Sequence, residues 1–500
     1  MSLDFLWQGF GVALQPSNLL IGFLGCFLGT IIGALPAVGP INGIALLLPI
    51  AYTSGLPAES TLILLAGVYY GAEYGGRISS ILLNVPGDAG AVMTAIDGYP
   101  LARNGDATRA LAISGISSFI GGMLAVVAMT FLAPLFGLLA IKFGPAEYFV
   151  LMVFAFCTLG SMVGHEPVKT LIGCVIGLTL TTIGIDATSG AYRFTFDEPE
   201  LHDGIEFIVL VIGLFSISEA LILLERQMTG VLKPLEVKGK YPSWLDLKTI
   251  TWPSVRATVI GFIIGVLPGT GASVASAVAY TTEKRINNKD NTFGKGDIRG
   301  LAAPEAANNA AATGAFVPML TLGVPGSGTT AVMLGALMLY NIQPGPQLFI
   351  EQPKLVGGLI ASMYVGNVLL LILNLPLVQL FARMLLMPNW ILIPGIVALS
   401  ILGVYSAYSS VMSVLIMFGI GIAGYLLRKL GFDMAPIVLG FVLGKVMEVN
   451  LRNALALSGG EIGIFFSSPL AIILWGLALL VVLLPWWLRR RASALAAGSP

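Results

Sequence analysis

The sequence predicts an all-α polytopic membrane protein made of two inverted structural repeats, each with a re-entrant helical hairpin and a discontinuous helix. Three observations point there. Of the 500 residues, 56% are hydrophobic and only 10% charged, where soluble domains carry about 25% charged residues. Pro and Gly interrupt apolar stretches, as in GTIIGALPAVGPINGIALLLPIAY (29–52) and GFIIGVLPGTGASVASAVAYTTEKR (261–285). The second stretch repeats the first, with its landmarks in the same order, about 232 residues later (29 to 261).

Composition removes several function classes. A net charge of zero disfavours a nucleic-acid partner. The cysteines Cys26, Cys157 and Cys174 lie in apolar segments without CxxC spacing and read as small core residues rather than metal ligands or disulfides. The opening MSLDFLWQGF lacks a basic region, so no cleavable signal peptide is expected and the first apolar segment does the targeting. No G-x-x-x-x-G-K-[ST] occurs, which disfavours an ATP-driven pump.

Taken in order, the first repeat covers 1–226: a hairpin at about 18–53, a broken helix at about 61–100, and spans at 110–136, 147–163, 169–185 and 205–224. A linker follows at 227–254. The second repeat, 255–463, has its hairpin at about 255–281 and its broken helix at about 301–342. Its later spans are 354–386, 391–409, 411–428 and 434–448. An extra helix at 464–488 and a tail complete 464–500.

Charge sets the threading. The stretch 225–256 carries six Lys/Arg against three acids and the loop 281–300 five against three, so both are expected in the cytoplasm. The segment between them starts and ends on one face and is short for two full spans, which suits a re-entrant hairpin with LPGTG at its tip. Residues 1–17 and 53–60 contain no Lys or Arg, so the first hairpin is expected to enter from the opposite, periplasmic face. The loop 186–204, with one Arg and five acids, belongs outside. Trp486 and Trp487 then sit at the interface, and Arg489, Arg490 and Arg491 in the cytoplasm. Lys142 falls on the wrong side of this scheme.

Gly29, Gly33, Leu35, Pro36 and Gly39 match Gly261, Gly265, Leu267, Pro268 and Gly271 at one offset, and at that offset Glu73 meets Glu305. A second break follows in each copy, NVPGDAG at 84–90 and GVPGSGTT at 323–330, with about seven residues inserted in the later one. Glu219 likewise resembles Glu448, and both are expected near the membrane interfaces.

Breaks at membrane depth are tolerated only when buried in protein or lining a wet cavity. They free N–H groups at one half-helix and carbonyls at the other, which can hold a carboxylate and a hard cation. The expected substrate-binding positions are Pro36, Gly39, Asn42, Asn84, Pro86, Gly87, Pro268, Gly269, Thr270, Gly271, Ser273, Pro325, Gly326, Ser327, Thr329 and Thr330. Asn84, Asp88, Thr270, Asn308 and Ser327 are the expected sodium ligands. No Lys or Arg lies in a break, so an anion would be held by helix dipoles and neutral donors. Against this stands the plainer account that Pro-Gly pairs only kink helices and let neighbours pack. Glu73 and Arg77 are either a local i,i+4 ion pair or part of a substrate site, and Glu305, close to a loop, is expected to be partly solvated.

The motif GxLPGxGAxxxxxxAYxxEK at 265–284, together with NVPGDAGA and AIDGYPLARNG, resembles the large membrane subunit of tripartite tricarboxylate transporters, over essentially the whole chain. Gly265, Leu267, Pro268, Gly269, Gly271, Ala272, Tyr280, Glu283 and Lys284 carry the motif; the first copy departs from it at Ala37 and Pro40. The resemblance implies a carrier of the bacterial inner membrane, N-terminus periplasmic and C-terminus cytoplasmic. It implies uptake of a carboxylate such as citrate driven by the cation gradient; from the freed carbonyls of the breaks, sodium is the expected coupling ion, the carboxylate is expected to be a di- or tricarboxylate, and no cofactor is expected. Its implied partners are a small four-helix membrane subunit and a periplasmic solute-binding protein. A hairpin-plus-broken-helix repeat is also the layout of elevator-type secondary transporters, by analogy of fold alone. A passive carboxylate channel is one alternative. Another is an intramembrane serine protease using Ser327, with only His165 and His202 available as base.

Overall fold

Helices account for most of the computed structural model, which describes residues 4–36, 38–140, 142–162, 167–186, 189–226, 234–269, 271–385 and 387–497. Thr270, Ala37 and His165 lie outside the described residues, as do the side chains of Trp486, Trp487, Arg489, Arg490 and Arg491.

The first half runs α1 (Asp4–Ala13), α2 (Pro16–Ala34), α3 (Gly39–Thr53), α4 (Ala58–Leu83), α5 (Val92–Leu101), α6 (Ala107–Ala140), α7 (Pro145–Met162) and α8 (Pro167–Leu180). A two-residue antiparallel pair, Gly184–Ile185 with Tyr192–Arg193, precedes α9 (Phe207–Val211), a π-helical turn and α10 (Ser218–Arg226). The second half runs α11 (Trp244–Val266), α12 (Gly271–Asn287), α13 (Ile298–Gly314), α14 (Phe316–Leu322), α15 (Gly328–Leu339), α16 (Leu348–Glu351), α17 (Pro353–Asn374) and α18 (Val378–Met384). It closes with α19 (Asn389–Tyr408), α20 (Val411–Lys429), α21 (Ala435–Leu457) and α22 (Pro469–Ala497). Among the described residues, seven helical stretches are long and apolar enough to cross a membrane, α2 and α11 among them.

Three sequence expectations change. The stretch 354–386 is two helices, α17 and α18, because Pro376 cannot continue the first. Helix α11 starts at Trp244, ten residues before the expected end of the linker. Ser243 caps it, accepting from the Asp246 N–H while Asp246 returns a bond to the Ser243 N–H. The pair α11–α12 therefore covers 244–287, and shortness no longer argues for a re-entrant hairpin there.

The third concerns register. Gly29 and Gly33 of α2 press onto the backbone of Val68 and Ala72 in α4, and Gly261 and Gly265 of α11 press in the same way onto Ala307 and Ala311 in α13. An offset of 232 on one side of the contact (29 to 261) is thus 239 on the other (68 to 307). The seven extra residues lie before α13, in the loop that leads into it, and not between that helix and its break. At the true register Glu73 corresponds to Ala312 and Glu305 to Ala66, so the two glutamates are not equivalents. The breaks then align without a gap: Asn84 and Gly323 both end their helices in left-handed backbone, φ 58° and 67°.

Candidate functional site

One cavity of about 510 Å³ is lined by both helix-pair turns and both breaks. The 35–38 turn between α2 and α3 meets the 84–91 break after α4. The turn between α11 and α12 meets the break before α15. Of the expected substrate positions, Gly39, Asn42, Pro86, Gly87, Gly269, Gly271, Ser273, Ser327 and Thr329 line this cavity. Pro36, Pro268, Pro325, Gly326 and Thr330 stand behind the lining rather than in it. Their part is to shape the backbone. The prolines cannot donate the next helical hydrogen bond, so each stops a helix where the turn must open.

Asn84 is a correction. Its side chain is exposed and does not line the cavity, because the left-handed backbone that ends α4 turns it outward. As substrate or cation ligand it drops out, and its counterpart is a glycine.

Three of the helix N-termini that face the cavity belong to the turns and breaks. Helices α3 and α12 each begin at a glycine with φ +66°, Gly39 and Gly271, and α15 begins at the cap Ser327. Ser327 Oγ accepts from the Thr330 N–H at 3.2 Å while Thr330 Oγ1 accepts from the Ser327 N–H at 2.8 Å. Tyr69 reaches Ser327 at 3.3 Å from the other half of the chain. The departure Pro40 is benign, since it occupies the first turn of α3, where no N–H partner is needed. Such N-termini carry unpaired donors and a positive dipole end, and so suit a carboxylate.

Beside these N-termini the lining is acidic. Glu73 and Asp88 line the cavity, and behind them stands Asn308, fully buried. Glu73 Oε2, Asp88 Oδ2 and both carboxamide atoms of Asn308 are buried without a hydrogen-bond partner among the described residues. Asp88 Oδ1 accepts from the Ala91 N–H at 2.8 Å, at the start of α5. Asn42 donates to the Val38 carbonyl and leaves its own Oδ1 unpartnered.

Arg77 does not pair with Glu73. It is fully buried and donates to the Leu111 carbonyl, to Ser114 Oγ at 2.7 Å and to Asn374 Oδ1 at 3.1 Å. Glu305 is fully buried rather than partly solvated, and accepts from Thr94 and from Ser118 at 2.8 Å. Nearness to the loop does not expose it, because α5 and α6 pack against α13.

Residues outside the turns and breaks complete the lining. Glu219 lines the cavity and is paired with Arg428 of α20. Arg428 also lines the cavity, so one guanidinium is present although none lies in a break. Asp433 and the first turn of α21 close the same side. Glu448, matched to Glu219 by sequence, instead joins Asp186, Arg193 and Arg452 in ion pairs beside a separate cavity of about 410 Å³. His202 lines that second cavity, not the one with Ser327.

The model of the tripartite tricarboxylate transporter TctA family matches residues 19–439. The chain is 42% identical over 478 residues to a 52.8 kDa protein of Agrobacterium vitis described as uncharacterized, in the TAR-I ttuC' 3' region, covering 95% of each. It is 45% identical over 224 residues to a second Agrobacterium vitis protein, from the TAR-II ttuC' 3' region, covering 45% of this chain and 93% of that one. No solved structure matches it.

Proposed function

The chain belongs to the tripartite tricarboxylate transporter TctA family, and on that premise we propose that it carries a di- or tricarboxylate across the bacterial inner membrane, driven by a cation gradient with sodium as the coupling ion. It does so with a small four-helix membrane subunit and takes its solute from a periplasmic binding protein. The N-terminus faces the periplasm and the C-terminus the cytoplasm, in keeping with the basic stretches 225–256 and 281–300.

The convergence of both turns and both breaks on one cavity carries this reading. A carboxylate at the N-termini of α3, α12 and α15 would meet main-chain N–H groups and the hydroxyls of Ser273, Ser327 and Thr329. Arg428, already paired with Glu219, adds no net positive charge. A site of dipoles and neutral donors binds an anion weakly enough to release it, as a carrier requires. Labelled citrate uptake into vesicles holding all three components tests the proposal. Saturable uptake that collapses when the sodium gradient is removed is the expected result. Linear, gradient-independent flux would make it a channel, and peptide cleavage without flux a protease.

A further inference from the structure

The acidic wall of the cavity holds more unpaired polar groups than solute binding needs. Asp88 Oδ2 lies against Gly76, where a Cβ would come within 2.5 Å of it, and Gly76 follows Glu73 by three residues on the same face of α4. Asn308 Oδ1 lies against Gly90, two residues beyond Asp88. The two glycines leave room for three side chains to converge from α4, the first break and α13.

A buried carboxylate without a partner is costly in a membrane. Arg77, the nearest cation on α4, is committed to Leu111, Ser114 and Asn374. Asp88 is eased on one oxygen by the first turn of α5. Glu73 Oε2 and Asp88 Oδ2 are thus left without a hydrogen-bond donor, beside Asn308, whose carboxamide oxygen is also without a partner.

We propose that Glu73, Asp88 and Asn308 form the binding site for one bare monovalent cation of sodium's class, and that this cation makes the neighbouring anion site usable. The donor set is hard oxygen from two carboxylates and an amide. Three side chains are too few for calcium, which takes six to eight oxygens. No group of three or more His, Cys, Asp or Glu that could hold a metal ion occurs among the described residues. An anion entering the cavity would be repelled by the two carboxylates; a bound cation removes that repulsion. Coupling of this kind is reciprocal, and ten- to hundredfold is roughly its ordinary range. The inference rests on the cavity being the transport site for the anion, but the cation site itself does not need that reading.

The test uses the full-length protein purified in detergent, radioactive sodium as the probe and choline as the inert replacement. Saturable binding is expected in the parent protein and in Ser410→Ala, which changes a cap of α20 far from the cavity. In Glu73→Gln and Asp88→Asn the affinity should fall at least tenfold in protein that still elutes as one symmetrical peak. If those two variants aggregate, Asn308 decides: Asn308→Ala should weaken sodium binding and Asn308→Asp should strengthen it and admit calcium. Sodium binding unchanged in these variants, absent from the parent, or displaced from the parent by calcium at equal concentration would overturn the proposal. No solute or partner subunit is present, so the outcome is separate from that of the uptake experiment.

Discussion

The N–H of Gly269 donates to the carbonyl of Gly326 across 3.0 Å, tying the turn between α11 and α12 to the break before α15 through main chain alone. Neither residue contributes a side chain, so the link depends only on backbone shape. That shape is set by left-handed glycines: Gly269 at φ +79° and, two residues on, Gly271 at φ +66°.

Substituting Gly271 with Ala should therefore act through strain, since the nearest side-chain atom to a new Cβ is 4.0 Å away. The expected cost is about 1–2 kcal/mol. Solute uptake should be abolished while the immunoblotted membrane level stays normal, and Gly271→Asn, which tolerates this backbone, should recover part of the uptake. The equivalent Gly39→Ala should behave alike. Full activity in both alanine variants would remove the turns from the site.

Close packing makes a different prediction. A Cβ at Gly33 or Gly265 would overlap the backbone of Ala72 or Ala311. Each Ala variant should lose roughly 1–3 kcal/mol and melt earlier in detergent. Gly11→Ala on α1, where a Cβ meets nothing within 4 Å, should melt no earlier than the parent.

Ser327 and Ser410 cap α15 and α20 by accepting from the N–H three residues on, but only Ser327 lines the cavity. Each Ala substitution should cost about 1 kcal/mol of stability. Only Ser327→Ala should raise the apparent KM for solute uptake. Equal KM values in the two variants would leave the Ser327 hydroxyl with a capping role alone.

Asp97, in the first half, accepts from the N–H groups of Gly294, Gly296 and Asp297 and from the Tyr280 hydroxyl, all between 2.8 and 3.0 Å. It fixes the loop that holds the second half's extra residues. Asp97→Ala should cost about 3 kcal/mol or more, because three N–H groups lose a charged partner, and should lower the melting temperature more than Asp97→Asn does.

Much was legible before any coordinates. Hydropathy placed most helices within a few residues, and Pro and Gly marked both helix-pair turns and both breaks that line the cavity. The match of Glu73 to Glu305 misled, because both are glutamates at the offset of the preceding helix, and a seven-residue insertion in a loop leaves no local mark. Asn84 misled because its amide suggested a ligand where its backbone had a capping role.

What the sequence determined by itself is therefore local: where the chain is apolar enough for lipid, and where it cannot continue a helix. Both follow from the chemistry of single residues and their immediate neighbours. Tertiary structure alone decided that Arg77 turns from Glu73 to Ser114 and Asn374, that Glu219 and Arg428 reach the cavity, and that Asn308 stands behind Asp88. Such pairings join residues tens to hundreds of positions apart, and packing chooses among many candidate partners that hydropathy treats alike.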